Sequence, residues 1–424
     1  MLDFFTSIDD FVWGPPLLVL LVGTGIYLTI RLGLLQIIRL PKAFKLIFAE
    51  DKGEGDISSF AALATALAAT VGTGNIVGVA TAIKTGGPGA LFWMWIAAFF
   101  GMATKYAEGL LAIKFRTLDD QGNVSGGPMY YITHGFSGKW QIIAKPLAYF
   151  FAFAGVLVAW LGIGTFSQVN SITSSLQNSF GWSPKIVSVI LALITAAIIF
   201  GGIQSISKVS EKVVPFMAGL YIIAALIVIF ANFNQLLPVL EMVFQSAFTG
   251  KAAVGGFAGA TVMAAMRLGI ARGVFSNESG LGSAPIAAAA AKTEEPVEQG
   301  LISMTGTFID TIIICTLTGL AILVTGQWSG SLEGAPMTQA AFSSIFGTFG
   351  ELALTLSLVL FAFTTILGWS YYGERCFEFI FKSTKFLSFY RLIFVVMVAL
   401  GGYLTLEVVW KIADIVNGLM ALPN

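Results

Sequence analysis

Polar residues are scarce along this chain and arrive in bunches. Between the bunches, apolar residues run for roughly 18 or more positions, enough for a helix to cross about 30 Å of hydrocarbon. The runs do not alternate in the two-residue period of a membrane β-barrel, so helices are the spanning structure that remains. The pattern predicts an all-α polytopic membrane protein with about eleven transmembrane helices. They are expected at 14–36, 58–85, 89–114, 142–174, 184–203, 210–232, 254–291, 300–325, 350–373, 386–404 and 406–421. The last is the least apolar, with Glu407, Lys411 and Asp414. Gly86-Gly87-Pro88, Gly126-Gly127-Pro128, Pro184, Pro296 and Pro336 punctuate the runs. Two connections, 235–248 and 335–347, carry apolar residues at helical spacing and read as interfacial helices or lids.

Charge fixes an orientation. Arg39, Lys42, Lys45 and Lys52 follow the first span; Lys114 and Arg116 follow the third; Lys208 and Lys212 the fifth; Lys292 the seventh; Lys382 and Lys385 the ninth. All fall on one side. The positive-inside rule makes that side cytoplasmic, with the N-terminus outside, the C-terminus inside and the cell membrane as location.

Composition agrees and excludes other classes. Of 424 residues, 56% are hydrophobic and 11% charged, against about 25% charged in soluble domains. The 23 basic and 23 acidic residues balance, which argues against nucleic acid as a partner. Cys315, Cys376 and the lone His134 make no disulfide framework or metal cluster. The acidic N-terminus lacks the basic start of a signal peptide, so the first apolar run is expected to be retained. No catalytic cluster and no GxxxxGK[ST] loop occur. An enzyme, an organic cofactor and an ATP-binding partner are therefore not expected.

Two spans should not be smooth helices. The second holds Thr70-Val71-Gly72-Thr73-Gly74-Asn75 at its centre; the seventh holds Gly273 and then Ser276-Asn277-Glu278-Ser279-Gly280-Leu281-Gly282. Glycine frees the backbone and asparagine is a poor interior helix former. Polar residues at bilayer depth are costly unless they line a polar cavity. Outer glycines such as Gly78, Gly255, Gly256 and Gly259 fit helix packing instead. A broken helix presents N–H groups at one end and carbonyls at the other, suited to a carboxylate and a cation. Breaks at matching places in two halves mark a midplane transport site. The expected organisation is one transmembrane domain over 1–424: an extra helix at 14–36, a first repeat at 58–232 and an inverted second repeat at 254–421.

Residues 86–101, GGPGALFWMWIAAFFG, resemble the signature of the sodium:alanine symporter family, the alanine or glycine:cation symporters. Gly126-Gly127-Pro128-Met129-Tyr130-Tyr131-Ile132 and 276–282 resemble it too, and the likeness is clearest over 58–375. It implies a leucine-transporter-type fold, a five-plus-five inverted repeat preceded here by one extra helix. It also implies sodium-coupled, in some members proton-coupled, uptake of a small neutral amino acid across the lipid bilayer. The signature itself reads as an external turn and an aromatic helix start, with Trp93 and Trp95 packing.

Carried onto this sequence, the resemblance places the substrate carboxylate on backbone N–H groups of Gly72, Thr73 and Gly74. Sodium would meet the carbonyls of Ala68 and Val71 and the hydroxyls of Thr364 and Thr365, an oxygen set suited to a hard cation. The bland alternative is that both threonines back-bond to their own helix. A second ion site would draw on Thr70, Asn75, Ser276 and Asp310, with an Asp310–Arg or Glu278–Arg structural pair as its rival, since Arg267 and Arg272 need partners. Phe275, Ser276 and Asn277 would face the substrate amine, and Phe166, Gln168, Thr365 and Trp369 its side chain. Lys105 and Glu108, one turn apart in the third span, read as a structural pair or as snorkelling side chains. A gated channel is the rival class, but no repeated filter motif occurs.

Overall fold

A computed structural model describes residues 7–9, 11–51, 53–249, 262–403 and 406–424, the side chains of 406–410 excepted. The start of the expected seventh span, with Gly255, Gly256 and Gly259, lies outside the described residues.

Eleven helical stretches follow the expected order. The first three are Pro15–Arg31, the pair Ser59–Thr70 and Gly74–Gly86, and Gly89–Lys114. Span four is Gln141–Leu161 with Phe166–Phe180; spans five and six are Pro184–Ile199 and Gly202–Ala231. Span seven is Val262–Asn277 with Ala284–Ala289, and span eight Pro296–Thr307, Phe308–Cys315 and Thr316–Val324. Spans nine to eleven are Thr348–Phe381, Leu387–Leu400 and Leu406–Ala421. Among the described residues six helices are long and apolar enough to cross a bilayer unaided, and the bent pair of span two makes a seventh. Pro15–Arg31 and Pro184–Ile199 are apolar but shorter, and span seven is cut by its break.

Local chemistry sets several ends. Ser58 caps span two by accepting from the Ala61 amide at 3.0 Å. Proline starts spans one, five and eight, where its missing N–H costs nothing. Span three is the central post, with spans seven and eight laid along it. Gly269 allows the close approach: a Cβ there would overlap the Ala90 carbonyl. The aromatic signature packs outward from the same post. Trp93 donates to the Ala247 carbonyl at 3.2 Å, Trp95 to Thr316 at 2.8 Å, and Phe92 touches Phe244 and Phe248.

Both suspected surface segments are helices, Phe233–Thr249 and Gly334–Phe346. The second lies over the break of span two, with Thr338 donating to the Ile76 carbonyl at 3.5 Å.

Four features depart from expectation. Span four is interrupted at 162–165, where Gly162 and Thr165 leave helical geometry. Span eight widens into a π-helix over Phe308–Cys315. The helix of span six begins at Gly202, ahead of its expected start at 210, so Lys208 lies inside it with Lys212 rather than in a loop before it. Span nine similarly continues to Phe381, because its last charges neutralise one another: Arg375 pairs with Asp119, Glu374 and Glu378 at 3.2, 3.2 and 2.7 Å, and Arg391 with Glu374 at 2.7 Å.

Candidate transport site

The Ser59–Thr70 half of span two stops because Asn75 competes for its hydrogen bonds. The Asn75 Oδ1 accepts the Gly72 amide at 2.9 Å, and the Asn75 amide turns to the Gly72 carbonyl at 3.3 Å. In a continuous helix those amides would serve the carbonyls of Ala68 and Val71. Both carbonyls are thereby released, and the two halves bend by 51°. Gly72 must be a glycine here, since a Cβ would lie 2.5 Å from Thr365 Oγ1 and 3.4 Å from Gln168 Oε1.

Gln168 enters from the second half of span four and its Oε1 accepts the Thr73 amide at 3.4 Å. Gln168 Nε2 and Thr73 Oγ1 are fully buried, and neither has a hydrogen-bond partner among the described residues. Buried polar atoms left this way cost free energy unless a ligand or water meets them. Phe166 starts the same half-helix and is buried. The interruption of span four was readable in Gly162-Ile163-Gly164-Thr165, a small-residue run like that of span two.

The two breaks touch. A Cβ on Gly74 would sit 3.1 Å from Ser276 Cα. Asp310 closes this seam: its carboxylate accepts from Asn75 Nδ2 at 2.7 Å, Ser276 Oγ at 2.9 Å and Thr311 Oγ1 at 2.7 Å. Asn75, Ser276 and Asp310 are thus one cluster, and among the described residues no arginine pairs with Asp310. Thr70 is not brought in, because its hydroxyl returns to the Ala66 and Leu67 carbonyls at 3.1 and 3.4 Å. Cys315 joins unforeseen, its Sγ 3.4 Å from Asn75 Nδ2 and 3.3 Å from Ser276 Oγ. The π-helix explains it, since five-residue spacing stacks Cys315 on the face of Asp310.

The threonines of span nine diverge. Thr365 faces Gly72, with its hydroxyl also bonded to the Phe361 carbonyl at 3.0 Å. Thr364 back-bonds to Leu360 and Phe361, both at 3.0 Å, and lies against the Met217 sulfur of span six.

Span seven's break is longer and internally satisfied. Glu278 takes a left-handed backbone (φ 56°), as do Gly280 and Gly282. Its carboxylate accepts from Ser283 and, at 2.9 Å, from Trp369 Nε1. Trp369 therefore ties span nine to this break. Asn277 donates to Thr311 at 3.0 Å and accepts the Ser279 amide at 2.9 Å. Lys105 and Glu108 neither snorkel nor pair directly: both are 3% exposed. Lys105 donates to the Asn277 carbonyl at 2.9 Å, a cation at the carbonyl end of a half-helix, and Glu108 accepts the Gly282 amide at 3.1 Å. Arg272 pairs with Asp414 through two 2.9 Å bonds and overlies the Phe275 ring at 5.4 Å.

A family profile described as the sodium:alanine symporter family matches residues 1–424. An uncharacterised transporter of Haemophilus influenzae is 55% identical over 99% of this chain and 91% of its own. The sodium/alanine symporter AgcS of Methanococcus maripaludis is 51% identical over 99% of this chain and 92% of its own. Among solved structures, MhsT in complex with L-phenylalanine superposes with a TM-score of 0.60 at 14% identity, over 87% of this chain and 89% of that one. That likeness concerns the fold, the leucine-transporter arrangement of two five-span sets, each opening on a discontinuous helix.

Proposed function

The chain belongs to the sodium:alanine symporter family, and from that premise we propose that this multi-pass transporter imports alanine, with glycine as a smaller alternative, together with sodium by alternating access. Backbone N–H groups at Thr73 and Gly74 hold the substrate carboxylate, with Gln168 Nε2 and Thr73 Oγ1 as added donors. Phe275, Ser276 and Asn277 face the amine, while Phe166, Thr365 and Trp369 limit the side chain to a methyl group or hydrogen. Sodium lies between the Ala68 and Val71 carbonyls and the Thr365 hydroxyl. The Asn75–Ser276–Asp310 cluster forms a second cation position. The halves of the alternating machine are 58–232 and 254–421, and the side bearing Arg116 and Lys292 is cytoplasmic.

One observation carries this reading. The span-two break combines two released carbonyls with two buried polar atoms, Thr73 Oγ1 and Gln168 Nε2, that have no partner among the described residues, a set complementary to a zwitterion plus a cation.

Purified protein in liposomes tests it. Alanine uptake is expected to require an inward sodium gradient and to vanish when choline replaces sodium. Uptake that persists in choline but follows a proton gradient would replace sodium by protons, with Asp310 as the titrating group. Asp310→Asn then decides, because loss of the proton dependence alone identifies that carboxyl. Saturable counterflow separates either carrier from a gated channel.

A further inference from the structure

Span three ends at Lys114, and Arg116 follows it with contacts of an unusual kind. Among the described residues no carboxylate lies within ion-pair distance of its guanidinium. It donates instead to four backbone carbonyls: Nη1 to Ala289 at 2.9 Å and Ala291 at 2.7 Å, Nη2 to Glu54 at 2.9 Å and Thr293 at 2.8 Å. Glu54 belongs to the segment that enters span two. The other three belong to the segment that leaves span seven. One side chain therefore crosslinks the same-side ends of both discontinuous helices.

The segments also touch directly. Asp56 and Ile57 amides share the Ala290 carbonyl at 2.9 and 3.1 Å, and the Lys292 amide returns to Ile57 at 2.8 Å. Gly55 permits this seam, since a Cβ would lie 2.5 Å from the Ala291 carbonyl. The Val124 amide, in a short antiparallel hairpin formed by Thr117–Leu118 and Val124–Ser125, donates to the Asp56 carboxylate at 3.0 Å. The apolar patch beneath consists of Ile57, Ala61, Ala62, Ala290 and Ala291. Alanine methyls bury little area, so the patch holds the segments together weakly. Charge-assisted hydrogen bonds are the stronger contribution. Burial pulls the Arg116 pKa down from its ordinary value. The desolvation behind that shift is relieved when the guanidinium meets water, so the closed state is held without being locked.

We infer that Arg116 is a positioning residue for transport, a latch that holds the Ser59–Thr70 half-helix against Ala284–Ala289 and whose release opens the site toward the Arg116 face. Carbonyl acceptors suit such a latch. All four bonds break together when one segment swings, and none of them is to a carboxylate. On the sodium reading proposed above, the ion grips the same half-helix through Ala68 and Val71. Latch and sodium then favour one closed state, and weakening the latch lowers apparent sodium affinity by linkage.

The test uses the full chain in inside-out vesicles with Ala62→Cys as a reporter. Ala62 is fully buried beneath the seam, and both native cysteines are buried. A membrane-impermeant maleimide is expected to label the reporter about tenfold faster with Arg116→Ala, the loss of roughly one charge-assisted bond's worth of closure. Arg116→Lys should fall between, because an ammonium cannot reach four carbonyls. Gly55→Val strains the seam without touching Arg116 and should act in the same direction. Monodisperse elution of the detergent-solubilised protein reports folding in every variant. Unchanged labelling in folded Arg116→Ala, or a rise confined to Gly55→Val, overturns the latch. If Arg116→Ala does not fold, Arg116→Lys takes its place, and labelling equal to the parent overturns the latch. These readouts need no sodium dependence, so they stand or fall separately from the coupling mechanism.

Discussion

The two broken helices look alike in sequence and differ in their unused hydrogen-bonding capacity. In span two, one asparagine diverts two amides, and the released carbonyls and the neighbouring Thr73 and Gln168 keep polar atoms without partners. In span seven the break is longer, yet its polar groups are engaged: Asn277 with Thr311 and Ser279, Ser279 with Thr307, Glu278 with Ser283 and Trp369, and the Asn277 and Gly282 backbone with Lys105 and Glu108. A polar interruption in a membrane helix can thus be a binding surface or a rigid joint. Counting donors and acceptors separates the two, while the presence of glycine and polar residues does not.

The largest expected effect comes from removing the residue that creates the difference. Asn75→Ala returns the Gly72 amide to the helix and takes from Asp310 its 2.7 Å donor. Leaving a buried carboxylate short of a donor costs about 3 kcal/mol. Sodium-driven alanine uptake should fall roughly 100-fold, since 1.4 kcal/mol is tenfold. Uptake within threefold of the parent would mean that the span-two break does not depend on this side chain, and the contrast with span seven would fail.

Trp369→Phe probes the satisfied break. It keeps the ring and deletes the Nε1 donor to Glu278, a bond to a charged group worth about 1.5–3 kcal/mol. The expected loss is in thermal stability of the detergent-solubilised protein, with sodium affinity retained. Unchanged stability with a large loss of sodium affinity would add the Glu278–Gly282 stretch to the binding elements that Phe275, Ser276 and Asn277 are proposed to supply.

Much of this was legible in the sequence because hydrophobic length and glycine clusters act locally. The order of the spans, both breaks and the two surface helices follow from runs and punctuation in the chain. Asn75 and Ser276 were brought together by family resemblance, and Asp310 entered as the lone carboxylate of an apolar span, with pairing to an arginine as its rival. Three things were hidden by their dependence on partners far along the chain. Cys315 reaches the cluster only because a π-helix shifts its face, and apolar composition does not announce that register. Lys105 looked like an ordinary charge near a helix end, and its role became visible only when the carbonyl end of Val262–Asn277 was placed against it. Arg116 counted toward orientation as one more positive charge, whereas its four acceptors are backbone atoms that leave no mark in the sequence.

The finest division lies within span two's own surroundings, between two adjacent threonines. Sequence offers Thr364 and Thr365 equally as sodium ligands. Both hydroxyls bond back to span nine, but that of Thr365 also lies against Gly72, within reach of the released carbonyls' segment, whereas that of Thr364 lies against Met217. A back-bonded hydroxyl turned away from the break contributes little to an ion there, so Thr364→Val should alter the half-saturating sodium concentration by less than about threefold. Thr365→Val removes an oxygen from the proposed sodium shell while keeping the side-chain volume, and should raise that concentration about tenfold, near one hydrogen bond to a charged group. Sodium titration of alanine uptake at fixed substrate reads both. Equal shifts would mean that Thr364 rotates inward during the cycle. A larger shift at Thr364 would move the ion toward span six and away from Gly72.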